Sequence, residues 1–338
     1  MAERIPWGCY VVGGSRKDSC ETLWGHNFVA GGREIESPSE VAMTALDATA
    51  RRQAEWSITA SSLKAEYDRA RQVTLGLSIG AALLATVASQ LENESRLYLS
   101  IASAVLLGVV SFLSARLLNS ARASAWVRAR AASEALKREA FKYAASAAPY
   151  DDVVSREARL NDEREKIEKD AEDLLGQIVP TNTVGSAPRS LLSPEAYIKA
   201  RAVGQIEGFY GPRAVKYKKY ASILRGLEFA FSLVAAIIAA AVGVAGKELF
   251  GVQFDFVALT AVLTTIAGAV LAHIEASRYD FLIITYRATA RRLGNELTRG
   301  GSPGATTANE WSAFVNRCEA IISDENNGWV AKWSSPNA

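Results

Sequence analysis

Hydroxyl side chains set at helical spacing inside otherwise apolar runs are the groups of this chain best placed to line a path for ions. Ser100, Ser103, Ser111 and Ser114 fall on one narrow stripe at 100° per residue, with Leu107 between them. Thr260 and Thr264 repeat the pattern more weakly, followed by Leu271 and Glu275. Hydroxyls facing a water-filled axis replace part of an ion's hydration shell, and a ring of Leu closes a narrow pore by excluding water. The competing assignment is local: small hydroxyl residues also bond their own helix carbonyls or pack against neighbouring helices.

Other chemistry is poorly supported. Cys9, Cys20 and His26 match no zinc spacing and lack a fourth ligand. Val11-Val12-Gly13-Gly14-Ser15 lacks the Lys and following Ser/Thr of a phosphate loop, so it reads as a turn in a packed cap. Without a Cys/His pair in register, a nucleotide loop or a metal cluster, the chain is expected not to be an enzyme and to need no cofactor or metal. No apolar run has an acidic or basic residue at its centre, which argues against a proton-coupled transporter.

Four charge-free runs carry those hydroxyls. Gln72 to Leu91 is followed, after Glu92 to Arg96, by Leu97 to Ala115, and Phe229 to Gly246 is followed, after Lys247 to Asp255, by Phe256 to Ile274. About 20 helical residues cross a hydrocarbon core of roughly 30 Å, so each run spans once and each pair is a hairpin. Chain averages conceal this, because a mean hydropathy of +0.04 mixes apolar runs with long charged helices.

Basic residues flank the outer ends of the hairpins. Lys64, Arg69 and Arg71 precede the first span, and Arg116, Arg122, Arg128 and Arg130 follow the second. Arg213, Lys216, Lys218, Lys219 and Arg225 precede the third, and Arg278, Arg287, Arg291 and Arg292 follow the fourth, whereas the turns hold only Arg96 and Lys247. By the positive-inside rule both termini are expected in the cytosol, with the protein multi-pass in the inner membrane and inserted by its own first span. In that reducing compartment Cys9, Cys20 and Cys318 are expected to stay free. A formal net charge of +2 leaves no excess for nucleic acid, and the local clusters suit anionic headgroups.

Capping signals divide the rest. Residues 1–36 read as an N-terminal cytosolic cap, 37–178 as a first two-span repeat, 179–193 as a linker, 194–333 as a second repeat and 334–338 as a tail. Ser37-Pro38-Ser39-Glu40 predicts a helix running through the first span, and a second is expected from about Arg96 to Ala147. Asp151 to Ile178 predicts a charged helix packing through Leu160, Ile167, Ala171, Leu174 and Ile178 as in a coiled coil. Ser193-Pro194-Glu195 starts another helix, interrupted at Gly208 to Pro212 and resumed into the third span. The fourth span is expected to continue to about Leu297, and Thr307-Ala308-Asn309-Glu310 is a capping box for an amphipathic last helix. The fold class is therefore an all-α membrane protein: four transmembrane helices in two tandem hairpins, extended into a cytosolic helical domain. Gly76 and Gly80 in the first span, and Ala235, Ala239 and Gly243 in the third, are packing faces.

The run Glu134-Ala135-Leu136-Lys137-Arg138-Glu139 with Phe141, Tyr143 and Pro149-Tyr150 resembles the SLATT family of two-transmembrane effector modules. The second half resembles it again at Tyr197 to Tyr210, Tyr286 to Leu293 and Trp311 to Trp333, which suggests two tandem copies over about Val41 to Trp333. The resemblance implies an oligomeric membrane effector that forms or gates a pore in a bacterial anti-phage or nucleotide-signalled conflict system. It implies as partners further copies, membrane lipids, and a nucleotide second messenger or a separate sensor protein. A non-conducting membrane scaffold whose cytosolic helices bind a partner is the alternative.

Overall fold

The computed structural model describes residues 44–245, 254–300 and 307–334, and every regular element among them is helical. The cap at 1–36, the Ser37 helix start, the turn at Lys247, the Gly301 to Gly304 run and the tail lie outside the described residues.

The first helix, α1 (Ala45–Ser89), runs unbroken for 45 residues. Its first residue is Ala45: Thr44 is extended, and its side chain accepts from the Asp47 amide as an N-cap. At 1.5 Å per residue α1 is about 67 Å long, twice the depth of a bilayer core. After a tight turn, α2 (Ser95–Leu117) returns and stops. The single helix expected from Arg96 to Ala147 is two: Asn119 is extended, its side chain accepts from the Arg122 amide, and α3 (Ser120–Ala144) starts there. An Asn followed by Ser offers the backbone a cap where the helix would otherwise continue.

The charged helix is shorter than expected. α4 (Arg156–Lys169) gives way to a 3₁₀ turn, Glu172–Gln177, and the pair lies on α1 and α3 with Leu160, Ala171 and Leu174 buried. The linker is strapped to α1. Gln53 Oε1 accepts from the Ser186 and Ala187 amides at 3.2 and 3.3 Å, and Thr59 Oγ1 accepts from the Val179 amide at 2.9 Å. Gly185 permits this approach, since a Cβ there would lie 2.5 Å from Gln53 Oε1 and 2.9 Å from Ala54 Cβ.

The third span enters through a widened helix rather than an interrupted one. α5 (Pro194–Tyr197), with Ser193 as N-cap, leads into π turns at Ile198–Val203 and Ile206–Tyr210 and then α6 (Gly211–Ala245). Pro212 has no N–H and its ring would clash with the carbonyl four residues back. The Gly211 amide reaches the Ile206 carbonyl instead, and the wider turn keeps the helix continuous.

The fourth span, α7 (Phe256–Ser277), also stops sooner than expected: Arg278 adopts a left-handed conformation (φ 50°, ψ 41°) before α8 (Tyr279–Gly300). The final helix is α9 (Ala308–Ser334). Its capping box forms as predicted, with Glu310 accepting from the Thr307 amide at 2.8 Å and Thr307 Oγ1 from the Glu310 amide at 3.3 Å.

Outside the spans, α9 and α3 pack with α8 and the π-widened segment around a core of aromatics. Tyr286 is wholly buried among Phe209, Tyr210, Tyr217 and Trp329, its ring stacked on Trp329 at 6.4 Å. Phe314, Val315, Cys318 and Ile322 on α9 extend this core toward Phe141 and Tyr197. Burying such side chains supplies roughly 1.5–3 kcal/mol each, so α9 is the helix that joins the two halves outside the membrane.

Candidate functional site

Four helices are long and apolar enough to cross a membrane, residing in Ala45–Ser89, Ser95–Leu117, Pro194–Val244 and Phe256–Gly300. Helix α1 packs on α2 at one side and on α7 at the other, and α7 packs on α6. The spans therefore stand in the order α2, α1, α7, α6. Three hydrogen bonds at the turn end join the hairpins: Gln90 Oε1 accepts from the Asp255 amide at 2.8 Å, Gln90 Nε2 donates to the Asp255 carbonyl at 3.3 Å, and Thr86 Oγ1 donates to the Ala258 carbonyl at 3.4 Å.

The hydroxyl stripe is divided by this arrangement. Ser103 is the one buried residue of α2, and its Oγ donates to the Ala81 carbonyl of α1 at 2.8 Å. It faces the inside of its own hairpin. Ser100, Leu107 and Ser111 are exposed along α2, and Ser114 is half-buried. Ser111 Oγ donates back to the Leu107 carbonyl, Thr260 Oγ1 to Phe256, and Thr264 Oγ1 to Thr260 and Ala261. Thr264 and Leu271 are exposed on α7, with Thr260 half-buried.

The small-residue faces separate as well. Ala235 is buried against its neighbours, whereas Ala239 and Gly243 further along α6 are exposed. A Cβ placed on Gly76, Gly80 or Gly243 would meet nothing within 4 Å, so among the described residues no other helix covers those positions.

The extramembrane domain holds a second group that the residue pattern did not single out. Arg201, on the π-widened segment, is wholly buried and forms a two-pronged ion pair with Glu319 of α9, Nε to Oε1 at 2.9 Å and Nη2 to Oε2 at 2.8 Å. Tyr197 Oη donates to the same carboxylate at 3.0 Å, and the guanidinium lies 4.8 Å over the Phe141 ring. Burial opposes the charge on Arg201, but Glu319 outweighs it and holds the guanidinium protonated.

Further along α9, Arg130 of α3 stacks over Trp329 at 4.5 Å with its Nη2 4.0 Å from Glu325 Oε1. Burial pushes the Glu325 carboxyl up to about 7 against the pull of Arg130. The neighbouring Glu134 behaves oppositely: burial would raise it, yet Lys137, Arg201 and Arg130 together hold it below the usual carboxylate range. Burial lowers Lys137. Ionisable groups sunk between packed helices are costly unless paired, which makes this cluster the most demanding feature of the domain. Its signal in the sequence was Glu319 itself, a charge at i+4 from Val315 and i−3 from Ile322 on the apolar face of α9.

Among the described residues no group of three or more His, Cys, Asp or Glu is placed to hold a metal. Cys318 is free and buried, with its thiol pushed up to about 12 by burial and by Glu319.

Residues 197–329, which run from the buried Tyr197 through the second hairpin to Trp329, match the family model described as SMODS and SLOG-associating 2TM effector domain 1. That match lies within the second half of the chain. Its boundaries include both partners of the Arg201–Glu319 pair, so the SLATT match covers the buried ion pair as well as the hairpin. Residues 54–158 match a different family model, that of a protein of unknown function, DUF4231. No curated protein and no solved structure matches the chain.

Proposed function

We propose that the chain is a non-enzymatic membrane effector that assembles as a homo-oligomer and opens an ion-conducting path in a bacterial conflict system. The observation that carries this reading is the row of spans α2, α1, α7, α6 with uncovered glycines at Gly76, Gly80 and Gly243. A single row of four helices needs further copies to surround water, and small residues with nothing against them suit close approach by another helix. Exposed Ser100, Leu107 and Ser111 on the flanking α2 would then face the axis, with Leu107 as the apolar gate. The flanking basic residues support both termini in the cytosol and an inner-membrane location. A nucleotide second messenger or a separate sensor would act on the cytosolic helices.

Ion flux through purified protein in liposomes tests the proposal. Leu107→Ser should raise basal flux and Ser111→Leu should silence it at equal insertion; normal insertion with flux unchanged in both would remove this face from any path. Ser103 is unsuitable for the test, because its hydroxyl ties α2 to α1.

The second reading is a non-conducting scaffold whose cytosolic helices bind a partner. The hydroxyls of Ser103, Ser111, Thr260 and Thr264 all have carbonyl partners, as packing helices without a water path require. Absence of flux from correctly inserted oligomers would select it.

A further inference from the structure

Before it enters the membrane, α6 is uncovered on one side. In the first half the corresponding stretch of α1 is packed by α3 and α4, whereas α6 packs on α7, α8 and the π turn before it. Val215, Lys219, Ile223 and Leu227 follow one another four residues apart along the open side, and the three apolar members are 66, 50 and 45% exposed. Contiguous exposed apolar groups of this kind mark interaction surfaces. A Cβ on Gly226, in the same stretch, would meet nothing within 4 Å, which leaves room for another chain to approach. The stripe continues into exposed Val234 and Ile237, on the outer edge of the row of spans.

The open side is also basic. From Gly211 to Glu228 there are five basic residues and one acidic, and Asp280 takes Arg225, which leaves an excess of three positive charges. None of Lys216, Lys218 and Lys219 has an acidic partner among the described residues, and Lys216 rests over the Tyr220 ring of its own helix at 5.6 Å. Copies in one membrane share an orientation, so two α6 faces related by a two-fold axis would meet at equal heights, lysine against lysine. Like charges opposed across a contact suppress it. The face therefore fits a different, acidic surface.

The first half carries such a surface. Asp151 to Gln177, which covers α4 and the 3₁₀ turn, holds ten acidic and five basic residues. Arg52 takes Glu168 and Arg128 takes Asp173, so an excess of three negative charges remains. Asp162, Glu165 and Glu172 are exposed with no basic partner among the described residues, and Leu175 beside Glu172 is 42% exposed. This segment lies on α1 and α3, over the hairpin that ends the row at α2, while α6 ends the row on the other side. Heights agree as well. Lys216 and Lys219 stand about 15–20 Å before Phe229 along α6, and Arg128, which holds Asp173, stands about 12 Å along α3 from its start beside α2.

We propose that, in the homo-oligomer on which this inference rests, the outer face of α6 docks on α4 and the 3₁₀ turn of the next copy, with Lys216 and Lys219 toward Glu165 and Glu172. The contact is head-to-tail, so its repetition around the membrane normal closes a ring.

The purified full chain is followed by mass photometry over a dilution series. Lys216→Glu with Lys219→Glu reverses one face, and Glu165→Lys with Glu172→Lys reverses the other. Each pair should raise the concentration at which the oligomer dissociates by about tenfold or more, because like charges then oppose each other. All four changes in one chain should restore the wild-type mass. An equimolar mixture of the two double variants should do so too, since alternating copies again pair opposite charges at every junction. Mass unchanged in both double variants, or lost without rescue at a wild-type unfolding midpoint, overturns the contact and leaves the homo-oligomer standing. Loss in the α6 variant alone gives the lysines to headgroup phosphates or another partner and overturns it as well. A wild type that is monomeric throughout overturns both this contact and the assembly it rests on. Should a double variant fold poorly, the wild type in about 1 M sodium chloride decides: charges more than about 3 Å apart are screened there, so an oligomer that persists undiminished overturns the contact.

Discussion

The two returning spans, α2 and α7, are 23 and 22 residues long, and each ends in a backbone break followed by an extramembrane helix. The breaks differ in chemistry: an extended, capping Asn119 in the first half and a left-handed Arg278 in the second. The helices that close each half differ more. α4 buries Leu160 alone and lies on the surface of α1 and α3, whereas α9 carries Phe314, Val315, Cys318, Ile322 and Trp329 into the main core together with Glu319. Two halves with the same order of elements thus divide the work. The second supplies most of the aromatic core and the Arg201–Glu319 pair, while α3 of the first half adds Trp126, Val127 and Phe141 to that core and Lys137 to the buried charges, and α4 stays outside it. Their matches to two different family models follow the same division.

The sharpest way to break that comparison is to remove one carboxylate from each closing helix. Glu319→Ala strands Arg201 in the core, and losing one partner of a buried pair costs about 3–5 kcal/mol. Glu168→Ala removes the partner of Arg52 on α4, where both side chains are part-exposed, and should cost about 1 kcal/mol or less. Denaturant unfolding of the solubilised protein should rank them in that order, and Arg201→Met with Glu319→Leu should recover most of the loss. Equal losses for the two single variants would mean that the halves do not differ in this way.

Glu325 sharpens the same contrast through pH. Its carboxyl is raised from the ordinary range to about 7, so between about 4.5 and 7 the folded state holds a proton that the unfolded state has released. Stability from this group is complete below that window and falls as pH rises through it, by about 3 kcal/mol at 1.36 kcal/mol per unit. Glu325→Gln keeps the shape and removes the titration. Its unfolding midpoint should exceed the wild type at pH 8 and converge with it by pH 5; a constant difference across that range would show that Glu325 is ionised throughout beside Arg130, Tyr210 and Glu134.

The spans, their pairing and the last capping box were legible because each is a local signal: a charge-free run of fixed length, or Thr and Glu three residues apart. What was not legible is what tertiary contact decides. Nothing in the Gly208 to Pro212 string distinguishes a broken helix from one widened by π turns, since both relieve Pro212. The partner of Glu319 lies 118 residues away, so the charge on the apolar face of α9 could be noticed but not paired. Ser103 and Ser111 share one stripe by angle, and only the position of α1 turns the first inward. The linker shows the same limit: its Pro, Gly and Ser read as a boundary, yet it is bonded to Gln53 and Thr59 along α1.

That strap belongs to the first half alone and gives a smaller test. Gly185→Ala would press a methyl against Gln53 Oε1 and Ala54, and overpacking of this kind costs about 1–3 kcal/mol. Hydrogen exchange at the Ser186 and Ala187 amides should accelerate while α9 amides stay protected. Loss of protection in both places would mean that the strap and the core unfold together.

The smallest expected effect separates the two breaks. Asn119 accepts from the Arg122 amide at 2.9 Å and begins α3 after the extended residue, so Asn119→Ala removes a cap worth about 1 kcal/mol. Ala is also the best helix former, and the variant invites α2 and α3 to fuse into the single long helix expected from Arg96 to Ala147. Fusion would swing α3 away from α1 and α9, which oppose it with the packing of Trp126, Val127 and Phe141. The expected result is a modest loss of stability, faster exchange at Arg122 and an unchanged domain, with Asn119→Asp close to wild type. Arg278→Gly should leave its own break in place, because glycine adopts a positive φ at least as readily as arginine. A large rearrangement in Asn119→Ala, with distances between α3 and α9 lengthened by spin-label measurement, would show that one side chain and not the core sets the angle at which the first hairpin meets the domain.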